Sequence, residues 1–180
     1  MTDRYFTPFP ILTTARLTLR QLSIQDQQGI FALRSDKEIN KYLNRQPSKT
    51  IEDAIDFINK INDNIKKNNS IYWAITFTKT RTFVGTICLF DFSNEKSSCE
   101  IGYELMTNFQ GQGIMKEAAE KVIGYAFETL QFEKIIAFTH HGNQSSTKLL
   151  RKFNFIKSEE SDNENADFNI FILTHSNLHR

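Results

Sequence analysis

Two glycines set between a strand-like run and a helix-like run constrain this chain more than any other feature. The string is Gln110-Gly111-Gln112-Gly113-Ile114-Met115. Before it, Cys99-Glu100-Ile101-Gly102-Tyr103-Glu104-Leu105 places apolar side chains at 101, 103 and 105, the period of a strand. After it, residues 116–129 carry Ala119, Val122, Ile123, Ala126 and Phe127 at helical spacing, with Leu130 following. Glycines at such a junction let the main chain turn sharply and leave no side chain in front of it. The first amides of the helix then lack intrahelical partners, and they coincide with the positive end of the helix dipole. That combination is an anion site, and phosphate is its usual guest.

The kind of phosphate ligand can be narrowed. Gly-Lys-Ser/Thr is absent, so the string is not a P-loop. As a dinucleotide fingerprint it reads Gly111-x-Gly113-x-x-Lys116, without the third small residue, and it sits mid-chain after an antiparallel-looking meander. It resembles instead the pyrophosphate loop of the GCN5-related N-acetyltransferases, Gln/Arg-x-x-Gly-x-Gly/Ala. Met115 departs at the last position; a large side chain there is compatible with main-chain binding if it points away. Two further segments resemble the ribosomal-protein (Rim-type) branch of that family. One is the alternating run 14–22. The other is Asn143-Gln144-Ser145-Ser146, followed by Lys152-Phe153-Asn154-Phe155. Asn154 replaces the usual glycine, a mild change because asparagine tolerates the left-handed conformation that follows a helix. The resemblance spans about 14–173.

Length and composition agree with one domain over 1–180, its core about 14–174. The net charge of +1, with acids and bases interspersed, argues against direct nucleic-acid binding. No apolar run is long enough to span a membrane, and the first residues lack a signal core, so a cytoplasmic protein is expected. Cys88 and Cys99 lie in strand-like segments and read as buried, reduced thiols.

Along the chain the expected order is a strand at 14–22, a short helix capped by Asp26, a turn near Ile39, and a helix over 51–67 capped by Ser48 or Thr50. A three-strand meander follows at 71–78, 82–92 and 97–105, joined by short polar hairpin links. Then come the loop helix, a buried strand at 134–139, a helix at 143–153, and closing strands at 155–158 and 168–174 around an acidic turn at 159–167. This is an α/β mixed sheet of about seven, mostly antiparallel strands with helices on both faces. A strand-helix-strand crossover makes the fourth and fifth strands parallel. The resemblance adds that these two splay apart and admit the pantetheine arm of acetyl-CoA, the implied cofactor.

Acetyl transfer to an amine requires a polarised thioester, a base to neutralise the amine, and side-by-side binding. By resemblance, Leu105 offers main-chain groups to the arm, and Gln110, Gly111, Gln112, Gly113, Ile114 and Met115 offer theirs to the diphosphate. Asn143 and Ser146 either hydrogen-bond the arm or cap their helix, and the two roles are compatible. Glu100, Gly102 and Glu104 share one strand face, opposite Ile101, Tyr103 and Leu105. Glu100 is the first candidate base, read as lying at the open end of its strand where an acceptor enters; Glu104 is the second. Many relatives carry a tyrosine acid at the position of Leu150, so Ser146 is the candidate proton donor here. A glutamate that some relatives carry on the fifth strand falls near Phe138. His140 and His141 are minor candidates, and His175 and His179 look incidental. No metal is expected.

The resemblance implies an acetyl-CoA-dependent N-acetyltransferase acting on a protein N-terminal α-amine, ribosomal-protein-like. A small amine (polyamine, amino acid or aminoglycoside) is the alternative; Glu52 and Asp53 would favour a polycation if they lined the mouth. A non-catalytic acyl-CoA sensor is the alternative of another class. A homodimer is a candidate assembly.

Overall fold

The computed structural model describes residues 4–93, 95, 97–159 and 166–177. Most of the acidic turn expected at 159–167, part of the hairpin link at 93–96, and His179 lie outside the described residues.

The elements follow the expected order with sharper boundaries. They are β1 (Leu12–Thr13), β2 (Leu17–Gln21), α1 (Gln27–Ser35), α2 (Lys37–Asn40), α3 (Ile51–Lys66), β3 (Ile71–Phe77), β4 (Phe83–Ser93) and β5 (Ser98–Leu105). After them come α4 (Ile114–Gly124), β6 (Lys134–His140), α5 (Gln144–Lys152), β7 (Ile156–Lys157) and β8 (Phe168–Thr174). The strands form one sheet in the order β1-β2-β3-β4-β5-β6-β8-β7, antiparallel except for β5 against β6.

Among the described residues eight strands stand where about seven were expected, because a two-residue strand, β1, precedes the run 14–22 and pairs with β2. Thr14 and Leu17 close a tight turn, Thr14 N–H to Leu17 O at 2.9 Å and Leu17 N–H to Thr14 Oγ1 at 2.9 Å. Arg16 leaves the sheet there to meet Glu117 of α4. The fourth and fifth strands of the sequence reading are therefore β5 and β6.

The centre of the sheet is covered on both faces, so β3 is buried from Ile71 to Thr76 without alternation. On one face Phe57 of α3 meets the Tyr72 ring edge-on, with centroids 5.7 Å apart. On the other, Tyr125, just beyond α4, meets Trp73 edge-on at 5.7 Å. α4 starts two residues before the expected helix at 116, because Gly113 caps it and Ile114 and Met115 drop into the core. Thr50 caps α3: its hydroxyl accepts from Asp53 N–H at 3.2 Å, and Asp53 Oδ2 accepts from Thr50 N–H at 2.9 Å. Asn154 has φ 62°, the left-handed conformation expected after α5. Cys88 and Cys99 are free thiols, and burial raises both, Cys88 to about 12.

α1, which carries part of the site described below, is tied to β2 by one buried ion pair. Arg20 donates Nη1 to Asp26 Oδ2 at 2.8 Å and Nη2 to Asp26 Oδ1 at 2.7 Å. The Asp26 side chain is only 5% exposed, whereas Arg20 is 32% exposed. Arg20→Ala would strand that carboxylate. Removing one partner of a fully buried pair costs roughly 3–5 kcal/mol, and the partial exposure of Arg20 brings the expected loss to about 2 kcal/mol. Urea denaturation checks this; a loss under about 0.5 kcal/mol, the range of ordinary surface substitutions, would contradict it.

Candidate active site at the split between β5 and β6

The sheet opens where its parallel pair, β5 and β6, ends. β5 and β6 share the pairs Ser98↔Lys134, Cys99↔Ile135 and Glu100↔Ile136, and none beyond. β5 continues to Leu105 held by β4, and β6 continues to His140 held by β8. Two strand edges therefore diverge inside a continuous sheet. Met106 N–H donates to Val84 O at 2.9 Å, so by ladder alternation Glu104 and Gly102 bond toward β4. The main-chain groups of Tyr103 and Leu105 then face the opening. Consistent with this, Leu105 O is reached from outside the ladder by Gln110 Nε2 at 3.0 Å.

Above the opening lies the glycine loop. A single turn at Thr107–Phe109 leads to Gln110, and Gly111 and Gly113 both take φ +74°, a conformation costly for other residues. Residues 110–113 are exposed. Gln112 Nε2 turns back to Asn108 O at 3.0 Å, away from the loop front. Gly113 provides no side-chain cap, and among the described residues the N–H groups of 111–116 donate to nothing. A Cβ placed on Gly111 meets nothing within 4 Å, so the space before these amides is open. Met115, the departure from the family pattern, is 8% exposed with its side chain in the core.

Arg16 flanks this loop. Its Nη1 donates to Gln112 O at 3.2 Å, its Nε meets Glu117 Oε2 at 2.6 Å, and its Nη2 lies 3.7 Å from a Cβ built on Gly113. Burial raises the Glu117 carboxyl, but hydrogen bonds from Thr14 and Arg16 outweigh it and hold the group below its ordinary range. The acid in the first turn of α4 is thus neutralised, which keeps the loop open to an anion. Arg16 was missed in the sequence because its partner lies a hundred positions away and no local pattern joins them.

On the α4 side of the sheet, a hydrogen bond crosses the opening. Tyr103 OH of β5 and Ser146 Oγ of α5 are 2.9 Å apart. Burial, the larger effect, raises the Tyr103 phenol to about 12, against the lowering effect of the Ser146 hydrogen bond. Asn143 caps α5, its Oδ1 accepting from Ser146 N–H at 3.1 Å. Thr139 of β6 is 3% exposed, and its Oγ1 has no hydrogen-bond partner. Free loop amides, unpaired strand edges and an orphaned buried hydroxyl together fit a diphosphate carrying an amide-rich arm. The sequence reading had Tyr103 as an apolar wall residue; its register opposite Ser146 depends on the β5–β6 geometry.

Glu100, Gly102 and Glu104 occupy the other face, as expected. Glu100 does not stand at the open end of its strand, where the sequence places it. It forms the last pair with β6 and so stands at the closed end of the split, not the open end. A chain laid along β5 from the loop passes Leu105, then Tyr103, and ends beside Glu100. Glu104 is ion-paired through Oε1 with Arg45 Nη2, and the two side chains are 11% and 20% exposed. Asp53 does not line this mouth as a free acid, because its carboxylate is spent on the α3 cap; Glu52 is exposed in that first turn.

The histidines have local roles. His140 Nδ1 accepts from Gly142 N–H at 3.0 Å and its ring stands 5.3 Å from Tyr42. His141 Nε2 meets Ala166 O at 2.7 Å, and His175 packs edge-on against Phe127. Leu150 is buried in the core and Phe138 is 38% exposed. Among the described residues, no group of three His, Cys, Asp or Glu could hold a metal, and no helix is long and apolar enough to cross a membrane.

Comparison with known proteins bears on this arrangement. The uncharacterized N-acetyltransferase YoaA of Bacillus subtilis strain 168 is 34% identical over 149 residues, covering 83% of this chain and 84% of its own. The spermidine N-acetyltransferase of Vibrio cholerae, solved with CoA and spermine, superposes with a TM-score of 0.79 at 20% identity, over 93% of this chain and all of that one (100%). FdhC, a nucleotide-linked sugar GNAT, superposes at 0.80 with 21% identity, over 94% of this chain and 93% of its own. The Acetyltransferase (GNAT) domain model matches residues 16–156. That match begins at the arginine beside the glycine loop and runs past the helix that carries Ser146, so the chain belongs to the GNAT acetyltransferases, enzymes that draw their acetyl group from acetyl-CoA.

Proposed function

We infer that this enzyme acetylates a primary amine by direct attack, with both substrates held together at the β5–β6 split. The observation that carries this reading is the row of undonated amides at 111–116, opening directly onto the unpaired edge of β5. Acetyl-CoA supplies the acetyl thioester, the electrophile of the reaction. The amides of Gly111 to Met115 and the guanidinium of Arg16 bind the diphosphate. Tyr103 and Leu105 main-chain groups, with Asn143, Ser146 and Thr139, orient the arm so that its reactive end lies toward Glu100.

Glu100 takes the proton from the incoming amine. Its position at the closed end of the split supports this role. The Tyr103–Ser146 pair returns a proton to the departing sulfur. With its phenol raised to about 12, Tyr103 stays protonated through ordinary assay pH and loses that proton only as pH climbs toward that value. The pair thus stands in for the tyrosine missing at Leu150 and weakens the sensor reading that its absence suggested. Holding amine and thioester side by side supplies much of the acceleration.

The acceptor most in keeping with the Rim-type segments is a protein N-terminal α-amine. A small-molecule amine is the second reading, favoured by the fold shared with enzymes named for spermidine and for a nucleotide-linked sugar.

Three variants test these roles. Gly113→Val forces a β-branched residue into φ +74° and sets its side chain before the amides, so CoA affinity by calorimetry should fall more than about tenfold. Unchanged affinity would remove the loop from binding. Glu100→Gln and Tyr103→Phe should each lower kcat on the order of 10²-fold, measured as thiol release, with CoA affinity nearly intact. If Glu100→Gln turns over normally, that residue is not the base; if Tyr103→Phe does, the sulfur leaves without its help.

A further inference from the structure

The Glu100–Glu104 face carries a second group of charges that the transfer step does not use. Arg45, between α2 and α3, ion-pairs with Glu104 and is steadied by its Nε donating to Asn40 Oδ1 at 2.7 Å. Arg34, on α1, reaches the same place. Its guanidinium carbon sits 4.0 Å above the centroid of the Phe57 ring, and its Nε is buried without a partner. Among the described residues, no hydrogen bond is donated by the Arg34 side chain. Below it, Tyr72 OH donates to Thr86 Oγ1 at 3.0 Å, and Thr86 pairs with Glu104 across the β4–β5 ladder. The Tyr72 phenol is raised by burial, then by Glu104, and stays neutral. Burial and the Arg45 charge depress the Arg34 guanidinium, and Glu104 only partly offsets them.

Around Glu104 two guanidiniums meet one carboxylate and a neutral phenol; Glu100, farther along the same strand face, is the second acid there. A partly buried guanidinium that stacks on an aromatic ring yet donates to nothing is an incomplete binding group, because its fork of N–H donors suits a carboxylate or phosphate. Both guanidiniums lie on the Glu100 face, across the sheet from Tyr103 and Ser146, so they face the amine and not the diphosphate loop.

We propose that the acceptor amine carries an anionic group, a carboxylate or a phosphate, which binds Arg34 and Arg45 while the amine lies near Glu100. On a peptide this anion is the side chain of an acidic first residue; on a small molecule it is part of the same skeleton as the amine. A polyamine offers these guanidinium donors no anion to bind. This inference rests on the reading of the Glu100 side as the acceptor side, and it narrows the substrate class within it.

Matched pairs of amines test it: β-alanine against propylamine, phosphoethanolamine against ethanolamine, an Asp-led peptide against an Ala-led one, and spermine alone. Thiol release should favour each anionic member by about tenfold or more in kcat/KM, and Arg34→Gln should collapse that ratio toward one. Arg34→Lys, which keeps the charge, should restore part of it. Carboxylate and phosphate arms show which anion is meant, and peptide and small-molecule arms show which carrier. A binding readout runs in parallel: with CoA saturating the loop, β-alanine or phosphoethanolamine should raise the melting temperature of the wild-type protein, and that rise should vanish in Arg34→Gln. Turnover without preference for the anionic members, or a preference that Arg34→Gln leaves intact, overturns the inference while the acetyl-transfer reading stands. Arg34-dependent binding without any turnover supports the inference and counts against that reading instead. Absence of both turnover and anion binding overturns it.

Discussion

Three parallel pairs hold β5 to β6, and everything functional in this fold follows from the fact that there is no fourth. Strand edges inside a sheet ordinarily do not go unpaired, because exposed N–H and C=O groups with no partner are costly once buried. Here each edge tolerates it because its far side is secured: β5 stays in register with β4 through Leu105, and β6 stays in register with β8 through His140. The divergence is also braced from both faces. Tyr103 and Ser146 join across it on the α4 side. On the opposite side the segment after α2 touches both walls, Arg45 at Glu104 and Tyr42 at His140. The split is therefore a fixed feature of the sheet, with donors and acceptors already oriented toward whatever enters.

The glycine loop adds charge to that geometry. An acid in the first turn of a helix normally stabilises the helix, yet here it would also repel a phosphate. Arg16 reconciles the two by pairing with Glu117 and leaning over the loop. The same turn that carries Arg16 away from the sheet joins β1 to β2. One local departure from the strand pattern thus serves the binding site directly.

What could be read from the sequence was local. Period-two runs gave the strands of the meander, helical spacing gave α3 and α4, and the crossover through α4 made β5 and β6 parallel. The glycines at 111 and 113, the large residue at 115 and the asparagine at 154 each took the conformation their chemistry implied. What escaped was set by distant partners. Glu100 was placed at the wrong end of the opening because nothing in its own strand shows where pairing with β6 stops. Tyr103 looked like core because Ser146 lies 43 positions on. Arg34, Arg45 and Glu104 meet only once three elements have packed, and the Asp53 carboxylate is used up by a cap that competes with any role at the mouth.

The central claim is that these particular main-chain groups hold coenzyme A. The most direct measurement is a titration of the ¹⁵N-labelled protein with CoA, followed through the amide resonances. The largest shifts should fall on Gly111, Gly113, Ile114 and Met115, continuing to Leu105 and Tyr103 along the β5 edge. Saturable binding that moves other amides and leaves these six in place would contradict the account.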